Sequence, residues 1–217
     1  MSSPAIIYAR RLRLLLSLEL LLIFFGMPLF YYLGLVTIPA IPALLGLALI
    51  CLIVLWYDTG FHFTDELNFH LPPGKTGLII VRFLILGSLL ALAVWRVFPD
   101  RFLDMPLNNT AFWLLLMVVY PVFSAFPQEL IYRSFLFHRY KLVLQNRWVM
   151  MGFSVIAFAF LHIIYENWIA IVLTLAGGYL FTKTYIDTGS IWLTTLEHTM
   201  YGCLIFTLGL GSFFYIG

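Results

Sequence analysis

The sequence predicts an all-α protein, a polytopic transmembrane helical bundle of seven to eight spans, and three observations carry that reading. Of its 217 residues, 63% are hydrophobic and only 10% charged, whereas a soluble domain carries about 25% charge. Several apolar runs reach about 20 residues, the helix length that crosses a hydrocarbon core. The charges that remain gather at the ends of those runs. One integral membrane domain over 1–217 follows, with the lipid bilayer as the partner the composition demands. The formal charge of +2 is small and its basic residues form no single patch, so no nucleic acid is implied. Cys51 and Cys203 both lie in apolar runs without metal-type spacing and read as packing residues.

The first span, Tyr8 to Leu35, follows Arg10, Arg11 and Arg13; it is too long for a signal peptide and is expected to be retained. The positive-inside rule puts its N-terminus in the cytoplasm, as for a multi-pass protein of the inner, cytoplasmic membrane. Glu19 lies near that end, where an arginine close by can pair with it. Pro39 and Pro42 open the second span, which runs to about Trp56. Residues 57–75 are the most polar stretch: His62, Asp65, Glu66 and His70 carry metal-ligand chemistry, but their irregular spacing and Pro72-Pro73-Gly74 favour a solvated loop. A short membrane segment there is what would make eight spans. The third span covers Gly77 to Phe98, and the fourth runs from Thr110 through Pro121 and Pro127, which are expected to kink it. His138, Arg139, Lys141 and Arg147 form a second cytoplasmic basic cluster. Trp148–Tyr165, Trp168 to about Tyr185, and Ile191–Phe214 complete seven spans. Gly177-Gly178 in the sixth reads as a site of close helix packing.

Three polar points interrupt these spans: Glu129 with Arg133, His162, and Glu197 with His198. Glu129 and Arg133 are one helical turn apart and can pair. An acid inside a membrane segment is costly and marks a functional site by default, with a structural ion pair as the alternative. At about 1.5 Å per residue, Glu129 lies roughly 15 Å from the basic cluster, His162 roughly 21 Å from Trp148 and His198 roughly 12 Å from Ser190. One layer in the cytoplasmic half of the membrane accommodates all three. Two histidines and an acid on three helices can activate water, bind a metal or polarise a carbonyl. A hydrogen-bonded cluster holding the bundle together is the alternative.

These residues resemble the motifs of the CPBP family, the CAAX protease or Abi family. Gln128-Glu129-Leu130-Ile131-Tyr132-Arg133 resembles its Glu-Glu-x-x-x-Arg, Phe158-Ala159-Phe160-Leu161-His162 matches Phe-x-x-x-His, and His198-Thr199-Met200-Tyr201-Gly202 resembles His-x-x-x-Asn/Asp. The resemblance covers about 110–205 as a catalytic core and implies an intramembrane endopeptidase of the prenyl-protein CAAX type. Its substrate would be a peptide or lipidated protein tail. It implies that Glu129, His162 and His198 are catalytic, with Gln128, Arg133, Glu197 and Phe158 supporting them. A divalent metal, zinc, enters by the same resemblance, with Glu129, His162 and His198 as candidate ligands; no cofactor follows from the residues alone.

Two positions depart from the pattern. Gln128 replaces the first glutamate, and an amide cannot serve as a general base. Gly202 replaces Asn or Asp, which removes an oxyanion donor. Glu129 is the expected substitute base, with His162 as its partner and His198 stabilising the oxyanion. Glu197 or Glu166 is a candidate for the missing carboxylate, although Glu197 points about 100° away from His198. The alternative to a protease is a catalytically impaired membrane binding or immunity protein. A proton relay or small transporter is a third reading, since buried His and Glu also mark ion pathways.

Overall fold

A computed structural model describes residues 4–67 and 74–215. Its long elements are all helices, and six are long and apolar enough to cross a membrane. They are α1 (Ile7–Tyr32), α2 (Ala40–Tyr57), α3 (Lys75–Val97), α4 (Thr110–Arg139), α5 (Arg147–Tyr165) and α6 (Trp168–Thr188). The expected seventh, α7, is helical over Ile191–Thr207, 17 residues instead of the 24 predicted through Phe214. It stops because Gly209 takes φ +87 against the backbone of Arg101, where an added Cβ would lie 1.8 Å from a carbonyl oxygen. The chain then makes a single 3-10 turn over Gly211–Phe214.

The apolar faces point both ways, as lipid requires. Leu14, Leu15, Leu18, Leu84, Leu89 and Val118 are exposed, while Phe24, Ile131, Leu136 and Phe158 are fully enclosed. Phe24 sits edge-on to Tyr132, Tyr140 and Phe153, joining α1 to α4 and α5. Gly178 on α6 lets α5 approach: an added Cβ would meet the Phe158 ring at 3.1 Å and the Val155 carbonyl at 3.4 Å. Close packing at Gly177-Gly178 is therefore what the sixth span uses. Cys51 and Cys203 are free thiols, Cys51 buried in the core.

The polar 57–75 stretch is only partly the solvated loop expected. His62 and Asp65 are exposed, but the chain folds back through a four-residue helix, Phe63–Glu66, too short to cross a membrane. Glu66 accepts hydrogen bonds from Ser134 on α4 and from the Tyr185 hydroxyl on α6, the latter at 2.5 Å. Burial pushes its carboxyl above its ordinary value. Asp58 is 2.9 Å from His138 at the end of α4. Two acids thus fasten this segment to the helix that carries the Glu129 motif, because α4 supplies partners at its last two turns. His70, Pro72 and Pro73 lie outside the described residues.

Glu19 also pairs differently from the local arrangement expected. Both its oxygens take 3.0 Å bonds from Arg139, and Oε1 takes a third from the Tyr140 hydroxyl. The arginines at 10–13 precede it on the same helix, whereas the end of α4 lies beside it. Glu19 is thus part of the packing between α1 and α4.

Candidate active site

Helix α4 is broken into alternating segments where the prolines fall. An α-helix over Thr110–Tyr120 widens to a π turn at Pro121–Ala125, returns to α over Phe126–Glu129 and widens again over Leu130–Phe135. Proline lacks the N–H that an α-turn needs, and a π turn absorbs the mismatch. The kink expected at Pro127 is therefore a pair of π turns that bracket Gln128-Glu129. Such bulges rotate the side chains that follow, and here they send neighbouring residues to different places.

Glu129 turns inward and is 0% exposed. Its Oε1 lies 2.7 Å from His198 Nδ1 and its Oε2 lies 3.0 Å from Arg133 Nε. The Arg133 contact is an ion pair out of line for a hydrogen bond. Arg133, also 0% exposed, lies against the Phe158 ring at 4.7 Å and reaches the Gly178 carbonyl at 3.4 Å. A fully buried charge pair is tolerated when each member is held, and aromatic faces supply what hydrogen bonds do not. His198 is stacked on Phe181 with centroids 4.5 Å apart and meets Phe158 edge-on at 5.5 Å. Phe158 therefore supports Arg133 and His198 at once.

The tautomers follow from the partners. A carboxylate only accepts, so His198 donates from Nδ1 to Glu129, and in the neutral ring Nε2 is then the acceptor. The Tyr120 hydroxyl, 2.9 Å from Nε2, donates to it. His162 Nδ1 is 2.8 Å from the Phe158 carbonyl oxygen. It too must donate there, so its Nε2 is a free acceptor.

A cavity of about 860 Å³ opens beside these groups. Leu86, Leu116, Phe123, Leu180 and Phe206 make much of its wall apolar, and Gln128, His162, His198, Tyr120 and Ser124 give one region its polarity. Gln128 donates from Nε2 to Ser124 Oγ at 2.9 Å, and its Oε1 has no partner among the described residues. Of the expected residues, then, His162, His198, Gln128 and Phe158 reach the cavity. Glu129 and Arg133 stand behind His198. His162 stands just past the α-helical part of α5, which ends at Leu161, and its ring lies 5.7 Å from Tyr165 and 6.1 Å from Phe214 between ring centres.

Glu197 faces elsewhere, as the 100° offset required. It pairs with Arg82 of α3 and accepts from Thr184 of α6 at 2.5 Å. Glu166 is exposed with φ 55 beyond the end of α5. Neither carboxylate joins the site. The residues that sequence reasoning missed are Tyr120, Ser124 and Phe181. Ser124 stands four residues before Gln128, a visible i, i+4 spacing; Tyr120 and Phe181 gave no sequence signal.

The donor set does not fit zinc. Among the described residues no group of three or more His, Cys, Asp or Glu side chains is disposed to hold a metal ion. Glu129 faces a guanidinium, and both ring nitrogens of His198 are engaged. Catalytic zinc takes three protein ligands, which this set does not offer.

Fold and site together define a multi-pass helical membrane protein with a His/Glu/Arg cluster at the wall of an apolar cavity. Residues 110–204, a little under half of the chain, match the family described as type II CAAX prenyl endopeptidase Rce1-like. Over that segment the resemblance to the CPBP, or CAAX protease, family is shown, and the family is one of membrane proteases. No curated protein and no solved structure matched the chain.

Proposed function

We propose that this protein is an intramembrane endopeptidase that hydrolyses a peptide bond near the lipidated tail of a membrane-associated protein. The observation that carries this reading is the His162 ring on the cavity wall, with Nδ1 tied to the Phe158 carbonyl and Nε2 left to accept. A neutral imidazole with one nitrogen fixed and the other free is a general base. Water bound at His162 Nε2 loses its proton to Nε2 as its oxygen adds to the carbonyl carbon. His162 returns that proton to the leaving amine. Glu129 acts through His198, fixing its tautomer, since both carboxylate oxygens are already engaged. The role of base therefore passes from Glu129 to His162, and Gln128, bonded to Ser124, shapes the cavity wall beside it. The apolar remainder of the cavity suits an isoprenoid or acyl chain, as the family match suggests.

One observation favours a second reading, a binding protein that holds such a tail without cutting it: the residue beside the unpaired wall position is an amide, Gln128. Cleavage of a quenched, prenylated peptide panel in lipid vesicles separates the two. Under the first reading the unaltered protein cleaves, and His162→Gln lowers kcat by about 10²–10⁴-fold, the worth of a positioned base. Under the second, only Gln128→Glu cleaves. Activity that survives His162→Gln unchanged removes His162 from the role of base.

A further inference from the structure

Tyr120 occupies a place that its neighbours were shaped to leave. A Cβ added to Gly202 would lie 2.3 Å from both the Tyr120 hydroxyl and its ring. Any side chain at 202 expels the tyrosine; glycine at 202 admits it. The ring is held edge-on to Phe206 with centroids 5.3 Å apart, and the hydroxyl rests 2.9 Å from His198 Nε2 on the cavity wall. Behind His198 stand Glu129 at 2.7 Å and Arg133 at 3.0 Å from Glu129. The chain Tyr120–His198–Glu129–Arg133 therefore runs from the cavity to a fully enclosed ion pair, with a rotatable O–H at its open end.

We propose that Tyr120 donates the hydrogen bond that stabilises the oxyanion of the reaction intermediate, an inference that rests on the endopeptidase reading above. As the water oxygen bonds to the carbonyl carbon, His162 Nε2 takes the water proton and the carbonyl π electrons move to oxygen. The Tyr120 O–H turns from His198 Nε2 to that oxygen and keeps its proton. When the C–N bond breaks, the oxyanion electrons re-form the carbonyl, the amine takes the proton from His162, and the Tyr120 O–H returns to His198. His198 is thereby a positioning residue for Tyr120: Glu129 holds its Nδ1 proton, so Nε2 is always the acceptor to which the hydroxyl resets. A tyrosine is suited to this because its O–H pivots about a ring that packing keeps in place. A donor aimed where negative charge develops, in a site shielded from water, is worth far more than the same bond in water.

The test uses the full chain in lipid vesicles with a prenylated peptide and with its phosphinate analogue, whose tetrahedral anionic centre replaces the scissile amide. Tyr120→Phe keeps the ring beside Gly202 and is expected to lower kcat by about 10²–10³-fold, the cost of one oxyanion donor, with KM changed less than about threefold. Phosphinate affinity falls in step, while affinity for the cleaved peptide product does not. Gly202→Asn alone is expected to be inactive through collision with Tyr120, and Tyr120→Ala combined with Gly202→Asn to regain activity over Tyr120→Ala. Unchanged kcat in Tyr120→Phe overturns the assignment. Should the unaltered protein cut no peptide, the endopeptidase reading fails by itself. Phosphinate affinity then decides on Tyr120: a loss in Tyr120→Phe upholds the donor, and equal affinity, or no binding by either protein, overturns it.

Discussion

Arg133 is fully buried, and among the described residues its carboxylate partner is Glu129. Removing one member of such a pair leaves an uncompensated buried charge and costs about 3–5 kcal/mol, whereas replacing both by apolar groups is often neutral. Glu129→Gln is therefore expected to lower the thermal unfolding temperature clearly, and Glu129→Gln with Arg133→Met to recover most of it. Unfolding followed in bicelles checks this; equal stability of Glu129→Gln and the unaltered protein would mean that the pair carries little of the fold. With Glu129 as the expected base, Glu129→Gln would lose cleavage and stay folded. The enclosed guanidinium makes the second half of that expectation unsafe, which is why His162→Gln, at the cavity wall, is the cleaner probe of chemistry.

Helix α4 works as an element because its two π turns divide its residues among three destinations. Gln128 goes to the cavity, Glu129 and Arg133 to the bundle interior, and Ser134 and His138 to the folded-back segment at the helix end. A straight α-helix repeats its faces every 3.6 residues and would make this division differently. The folded-back segment has its own pH sensitivity. Asp58 is held below its ordinary value of 3.8, first by the Gly60 N–H at 2.9 Å and then by His138. A lowered carboxyl contributes stability above its unfolded value and loses it as pH falls through the folded one. Hydrogen exchange at residues 58–67 should then accelerate on the acid side, below about pH 4, and Asp58→Asn should abolish that acid step. An acid step that persists in Asp58→Asn would assign it to a group other than Asp58.

At the scale of the whole molecule, side-chain contacts sort the helix ends into two sets. Glu19 meets Arg139, Asp58 meets His138, Glu66 meets Tyr185 and Lys75 lies 3.7 Å from Asp187. At the opposite ends Arg101 bonds Ser212 at 2.6 Å and Asn167 bonds the Phe213 carbonyl at 2.8 Å. The first set adjoins the basic residues at 139–147, which the positive-inside rule would put in the cytoplasm. Single cysteines at Asn146 and Glu166, in a background without Cys51 and Cys203, should then react with an impermeant maleimide from opposite faces of sealed membrane vesicles. Labelling of both from one face would mean that α5 does not cross the membrane.

Composition alone determined the helical class, because lipid forces every backbone N–H and C=O into internal bonds; the seven to eight spans expected compare with six long apolar helices among the described residues. Spacing alone also made Glu129–Arg133 a pair, since i and i+4 always share a face. It could not say which of two adjacent residues, Gln128 or Glu129, would meet the cavity, because the π turns that decide it depend on packing around Pro121 and Pro127. Nor could it find Tyr120, whose partners His198 and Gly202 lie some 80 residues away. Glu66 looked solvated and is capped by Ser134 and Tyr185; Glu19 looked locally paired and is held by Arg139. In each case the deciding contact joins helices distant in sequence, and burial of a polar group selects its partner by what lies within about 3 Å in space, a quantity that only the assembled bundle sets.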